Sequence, residues 1–341
     1  MRNTISFRLA ILLTLSLCGF PGSAAYGKYA VGITRGKLPD GTPYMTWYPS
    51  ASPLKEEAIA IGHQTISGLP GASWLKGRHR LILISPGSGG SFLSYWRTAH
   101  FLASHGYIVA SLNHQYDNAF DYSGSSSIAV FNGRPQEMSR LLDYFLKTDL
   151  RRYVNISQIS AMGFSAGAYT VLVMAGAIPS TKSLHAYCRV QPEPNVMCFR
   201  PRGFARITSL FSQYQGLSPH PDPRIRSVVA VAPPGDALFS RSSFRSIHIP
   251  VLLIAGGEGR VLIYPNNALY IKESMGDAAR LFVVKQASHL SYLSLSVRPR
   301  FLPPLLRREK NIASKTVRTE LHNNILDFLI HGDLNTEGGG A

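Results

Sequence analysis

The sequence predicts an α/β protein built on a mainly parallel, doubly wound sheet with helices on both faces. Three observations carry this. Short apolar, β-branched runs alternate with segments of helical period along most of the chain, the pattern of strand–helix–strand units. Several of those runs are apolar without interruption, as strands covered on both faces must be. At 341 residues, 45% hydrophobic and 16% charged, the chain has the composition of a folded protein and a length that fits one large α/β domain. It shows no repeat of solenoid or propeller period.

Residues 1–25 read as a targeting segment. Arg2 and Arg8 form a basic start, Leu9 to Phe20 an apolar stretch too short to span a bilayer, and Pro21-Gly22 a break. Ser23-Ala24-Ala25 then supplies the small residues of a cleavage site before Tyr26. Leu15-Ser16-Leu17-Cys18-Gly19 loosely resembles a lipid-attachment sequence, but Leu17 stands where that motif wants a small residue. The expectation is an exported protein, periplasmic or secreted, with a folded domain over 26–331 and a flexible tail over 332–341.

The elements follow in order. Tyr29–Thr34 and Tyr44–Tyr48 read as an antiparallel opening pair around the Pro39-Asp40-Gly41 turn. Arg80–Ser85 is a buried strand that ends in Pro86-Gly87-Ser88-Gly89-Gly90. A helix over Tyr95–Ser104 stops at Gly106, and Tyr107–Leu112 is the next strand. Met138, Leu141, Leu142, Phe145 and Leu146 give Gln136–Lys147 a helical period. Ile156–Met162 is a strand and Ala166–Ala177 a helix of small residues. Residues 181–220 show no clean period. Strands resume at Val228–Ala232, Val251–Ile254 and Leu281–Val284, and Lys315–Ile330 closes the domain as a helix. In such a sheet, ligands bind beyond the carboxyl ends of the strands.

Charge and cysteine usage exclude some functions. The 35 Lys and Arg outnumber the 19 Asp and Glu, for a net charge of +16. The positive residues are scattered, and the densest run, Arg298 to Lys310, is interrupted by Leu-Pro-Pro-Leu-Leu. With no zinc-finger or RNA-binding signature, nucleic acid is not an expected partner; the reading is a merely cationic exported surface, compatible with peripheral contact with an anionic membrane surface or with acidic substrates. Removing the leader takes Cys18 with it and leaves Cys188 and Cys198 as an even pair, read as a local disulfide in an exported protein. His185 with those cysteines lacks a fourth ligand, so no metal site is expected.

The chemistry is concentrated after the strand Ile156–Met162. There Gly163-Phe164-Ser165-Ala166-Gly167 is the only Gly-x-Ser-x-Gly of the chain. Between a strand and a helix this pentapeptide is a nucleophile elbow: Ser165 takes a strained turn that Gly163 and Gly167 leave room for. The amide of Ala166, at the helix start, points toward developing negative charge. The amide of Ser88, in the Gly-rich turn after Arg80–Ser85, is the second expected oxyanion donor. Of eleven histidines, His289 is placed one short loop beyond the last strand and after the serine in chain order, as the general base should be. The orienting acid is expected at Glu258, after Val251–Ile254, with Asp236 as the alternative. His114 and Asp117 either line the pocket mouth or cap their own loop.

With these residues in place, the sequence resembles the α/β-hydrolase superfamily. More narrowly, it is similar to the bacterial predicted dienelactone hydrolase group, itself similar to platelet-activating-factor acetylhydrolases. The resemblance rests on Ser85–Ser91, Gly163–Gly167, Pro221–Pro233 and Pro250–Gly256. It departs in two places: Pro86-Gly87 stands where the family has His-Gly, and Gly259 where the family has an aspartate. The superfamily inserts a cap between the nucleophile helix and the next strand, so the resemblance implies a cap over about 181–220 that a Cys188–Cys198 bridge stiffens. Phe301, Leu302, Leu305 and Leu306 then form either an apolar rim or packing under the sheet.

The function expected from the sequence is an exported serine hydrolase that cleaves small-molecule or lipid-like carboxylic esters through an acyl-enzyme, with no cofactor. The alternatives are an amidase or peptidase using the same residues, and a catalytically silent binding protein on a hydrolase fold.

Overall fold

The computed structural model describes residues 27–124, 127–190, 216–294 and 314–332. Among the described residues the strands are β1 Ala30–Lys37, β2 Pro43–Ser50, β3 Glu57–Ile61, β4 Gln64–Pro70, β5 His79–Ser85, β6 Ile108–Leu112, β7 Val154–Phe164, β8 Ser227–Val231, β9 Val251–Gly256 and β10 Ala279–Val284. They form one ten-stranded sheet in the order β10-β9-β8-β7-β5-β6-β2-β1-β4-β3. From β10 to β6 every pairing is parallel. The β2–β6, β1–β2 and β3–β4 pairings are antiparallel. The helices are α1 Trp96–Ser104, α2 Ile128–Lys147, α3 Ala166–Met174, α4 Thr181–Val190, α5 Ala268–Met275 and α6 Lys315–His331.

The continuous apolar strands are explained by two cores. Alternate residues of a strand point to opposite faces, so Leu81 and Leu83 of β5 join one cluster with α2, α3 and α5. Ile82 and Ile84 join the other, under α1 and α6. Met138, Leu141, Leu142 and Phe145 bring the apolar stripe of α2 onto the first face; Val317, Leu321, Ile325 and Phe328 bring that of α6 onto the second. Each of these residues is almost wholly buried, worth roughly 1.5–3 kcal/mol per large side chain.

The structure extends the sequence reading in three places. The hairpin β3–β4 turns at Gly62, whose φ of +59° suits a residue without Cβ. Its strands are half-polar, so the apolar pattern did not mark them. Helix α2 begins at Ile128 rather than Gln136, running through Pro135. Ser127 Oγ accepts the Val130 amide at 3.2 Å and caps its start; the proline removes one donor without ending the helix. Third, Thr181–Val190 is helical where no period was evident. It lies within the 181–220 stretch where a cap is expected. Cys198 and residues 191–215 lie outside the described residues, as does the side chain of Cys188, and with them the expected disulfide. The leader 1–25, the rim residues Phe301, Leu302, Leu305 and Leu306, and residues 333–341 of the tail also lie outside the described residues.

The sheet order marks a candidate crevice. After β5 the chain moves to β6 on one side, then returns to place β7 on the other side of β5. The carboxyl ends of β5 and β7 are therefore a topological switch point, where open α/β sheets hold ligands. Ser85 pairs in register with Gly163, so the Gly-rich turn after β5 and the turn after β7 emerge side by side.

Candidate active site

Ser165 occupies the tight turn between β7 and α3 with φ 53° and ψ −118°. A non-glycine residue held there stores on the order of 1–3 kcal/mol of backbone strain. The surroundings over-determine it. The Ser165 amide donates to the Val231 carbonyl of β8 at 2.9 Å, and its carbonyl accepts the Tyr169 amide at 3.1 Å. The flanking glycines allow backbones to touch: a Cβ on Gly163 would lie 2.0 Å from the Gly167 carbonyl oxygen, and one on Gly167 would lie 2.0 Å from that of Ser85. Helix α3 thus starts directly against the end of β5. The Ala166 amide, at its first position, precedes the intrahelical bonds that begin a turn later.

His289 reaches this serine from the far edge of the sheet. Strand β10 lies three positions from β7, about 14 Å at the usual strand spacing, and residues 285–288 lead back across that distance. Two bonds from the β9 loop hold the path: the Gly257 amide donates to the Val284 carbonyl and the Glu258 amide to the Ala287 carbonyl, each at 3.0 Å. A Cβ on Gly256 would sit 2.4 Å from the Ala287 carbonyl oxygen, so glycine is what permits the approach. His289 then opens a 3-10 turn, His289–Tyr292, that Ser288 and Ser291 close by mutual capping. Its Nε2 stands 3.2 Å from Ser165 Oγ, and its ring packs on Phe164 with centroids 4.7 Å apart. Only 6% of His289 is exposed, and this burial lowers its pKa to about 4.

The two acid candidates are placed differently. Asp236 Oδ2 accepts the Asn266 side-chain amide at 3.5 Å, and the Asp236 amide donates to the Asn266 carbonyl at 3.1 Å; no described hydrogen bond joins Asp236 to His289. Burial raises the Asp236 pKa to about 6. Glu258 is an exposed residue whose backbone is fastened two residues before His289 through Ala287. Gly259 lines a small apolar pocket beside His289, together with Ala232, Pro233, Val261 and Leu262.

The turn Pro86–Gly90 is held from below by a buried polar network that the sequence reading did not foresee. Ser88 Oγ donates to Asp117 Oδ1 at 2.6 Å, and the Gly89 amide donates to the same oxygen at 3.0 Å. Asp117 Oδ2 takes a 2.6 Å bond from Arg134 of α2, and Arg134 also donates to the Pro86 carbonyl. Beside it, Ser85 Oγ meets His114 Nε2 at 2.8 Å, and His114 Nδ1 meets Glu137 Oε2 at 2.6 Å. This second serine–histidine–carboxylate row resembles a hydrolytic triad in its contacts alone. Ser85 is fully buried, and His114 is 1% and Glu137 6% exposed, so no ester carbonyl can reach Ser85. His114 and Asp117 therefore sit buried against the Ser85–Gly90 turn, not at the pocket mouth. The one signal in the sequence was a pair of polar residues directly after a buried strand.

No family model and no curated protein matches this chain. Solved structures do. A ferulic acid esterase from Streptomyces cinnamoneus aligns over 91% of this chain and 91% of its own, with a TM-score of 0.58 at 14% sequence identity. The likeness is one of fold. The chain has a mixed α/β architecture of the α/β-hydrolase-like type, which fits the superfamily resemblance in its sequence. In all, 1050 solved chains match; an architecture shared so widely leaves function to be argued from the site.

Proposed function

We propose that this chain is an exported serine hydrolase that cleaves carboxylic esters through an acyl-enzyme, within the dienelactone hydrolase and platelet-activating-factor acetylhydrolase-like group that its motifs resemble. The observation that carries the reading is the 3.2 Å approach of His289 Nε2 to Ser165 Oγ across 124 residues of sequence, at a serine held in a strained left-handed turn. Strain of this kind persists where a function requires it. The solved esterase of the same fold agrees with the reading.

In this mechanism His289 Nε2 takes the Ser165 proton as Oγ adds to the ester carbonyl carbon. The carbonyl electrons move to oxygen, which the amides of Ala166 and Ser88 hold. Collapse breaks the bond to the alcohol, which leaves with the proton from His289. Water then attacks the acyl carbon with His289 again as base, and the acid departs while Ser165 regains its proton. Glu258 is the proposed orienting acid and Asp236 the alternative. A carboxylate is needed because burial disfavours the imidazolium that each step forms. Substrates are small or lipid-like esters; esters of ferulic acid enter the set through the structural neighbour. The strong excess of positive charge that remains once Arg2 and Arg8 leave with the leader favours anionic esters and peripheral contact with anionic membrane surfaces.

The test is intact-mass analysis of the mature protein after exposure to a fluorophosphonate, beside Ser165→Ala. A stoichiometric adduct absent from the variant is the expected result. No adduct on folded wild-type protein would overturn the reading and favour the silent binding protein, whose motive is Gly259 in the place of the family's aspartate. Matched ester and amide substrates separate esterase from amidase.

A further inference from the structure

The proposed oxyanion donors lie on different elements: Ser88 on the turn after β5, Ala166 at the start of α3. Such a site works only if both amides are held at a fixed spacing, because donors stabilise the anion at the position where charge develops. The turn has no regular secondary structure to supply that rigidity, and Ser88 is exposed.

One side chain reaches both halves. Arg134 is fully buried and projects from the part of α2 that precedes Pro135. Its Nη1 donates to Asp117 Oδ2 at 2.6 Å, and the other oxygen of Asp117 holds Ser88 Oγ and the Gly89 amide. Its Nη2 donates to the Pro86 carbonyl. Its Nε donates to Thr170 Oγ1 of α3 at 3.1 Å, and Thr170 Oγ1 donates in turn to the Ala166 carbonyl at 2.9 Å. The guanidinium fork is planar and rigid, so bonds made from its three nitrogens fix the relative placement of what they bind. Glu137, three residues on and on the same helical face, holds His114, which holds Ser85.

We infer that Arg134, with Asp117 and Thr170, is a positioning clamp that sets the spacing between the two halves of the oxyanion hole. This rests on the serine hydrolase reading above. Arg134 touches no reacting atom. It acts through the Pro86–Gly89 backbone on one side and the first turn of α3 on the other.

The experiment uses the full mature chain and three variants, Arg134→Lys, Asp117→Asn and Thr170→Val, each checked for folding by its melting transition. Steady-state hydrolysis of phenyl acetate is compared with inhibition by trifluoromethyl phenyl ketone. Ser165 Oγ adds to the carbonyl carbon of that ketone, its proton passes to His289 Nε2, and the carbonyl oxygen becomes the anion in the hole. A displaced donor weakens this adduct and the transition state alike, while the ground-state ester is little affected. The expected result for Arg134→Lys is a fall in kcat of roughly 10²-fold with a matching fall in ketone affinity, and KM held within about threefold. Thr170→Val removes only the link to α3 and keeps the ion pair; it is expected to lower both quantities by about 10-fold. If Arg134→Lys does not fold, Thr170→Val decides. Folded variants whose kcat and ketone affinity stay within about twofold of wild type, or whose melting temperature alone falls, would overturn the clamp while Ser165 still labels. Wild-type protein that takes no fluorophosphonate at Ser165 overturns the hydrolase reading, and the clamp with it.

Discussion

The pH dependence of turnover is the sharpest test of how His289 is seated. Burial brings its pKa from the ordinary 6.5 down to about 4, which amounts to about 3 kcal/mol of destabilisation of the imidazolium. If this burial is the dominant influence, His289 stays in its basic form well below neutrality. The acid limb of kcat/KM then falls near pH 4, and the rate at pH 5.5 remains close to that at pH 7.5. A pH-stat measurement of ester hydrolysis from pH 3.5 to 8 reads this directly. A limb between pH 6 and 7 would refute the burial argument and show that a carboxylate offsets desolvation at the imidazole; Glu258→Gln in the same assay should then move the limb back toward pH 4. Stability carries the same signature. The unfolded chain takes up the proton first as pH falls below 6.5, while the folded chain resists until about 4. The contribution of neutral His289 to stability is therefore complete above pH 6.5 and is lost between pH 6.5 and 4. His322, lowered to about 3 mainly by its own burial, acts in the same direction. Glu137, raised to about 7 by burial, acts in the opposite sense, its contribution present below pH 4.5 and lost as pH rises through 7. A His289→Gln variant should thus lose less melting temperature between pH 7 and 4 than the parent.

Three further outcomes are expected. Ser165→Gly should abolish turnover yet raise stability by up to about 1 kcal/mol, because glycine occupies positive φ without strain; a lower melting temperature would contradict the strain argument. Gly163→Ala should destabilise by roughly 3 kcal/mol or more, since its Cβ would meet carbonyl oxygen that cannot yield, whereas Gly259→Ala, with its nearest neighbours at 3.6 Å, should be tolerated; comparable melting temperatures for the two would sink this distinction. Glu258→Gln should reduce kcat by on the order of 10⁴-fold if Glu258 orients His289, and adding Gly259→Asp to it should restore turnover from the pocket wall beside the ring. An unaffected Glu258→Gln moves the assignment to Asp236→Asn.

What could be read from the chain alone was whatever is local or strictly ordered. The elbow is five consecutive residues, and its glycines are required by contacts within a few ångströms of backbone, so Gly163–Gly167 announced its own turn. His289 could be proposed because parallel strands all end on one side of the sheet, so the loop after the last strand opens at the same carboxyl end as Ser165. The apolar strands showed themselves because two cores cover them, one built on Leu81 and Leu83, the other on Ile82 and Ile84. The hairpin β3–β4 did not, because a strand exposed on one side carries little apolar pattern, and Pro135 concealed the first turns of α2 because proline ordinarily ends a helix.

Tertiary structure alone decided which distant polar groups meet. Arg134 lies 17 residues from Asp117 and 36 from Thr170, and nothing in its neighbourhood in the sequence distinguishes it from a solvated helical arginine. It is buried because α2 continues through Pro135 and lays that face on β5, β6 and α3, where the Pro86 carbonyl and the Asp117 carboxylate compensate its charge. The same holds for Ser85, His114 and Glu137, whose contacts imitate a triad. Their burial, which no local pattern encodes, separates a supporting network from a site that a substrate can enter.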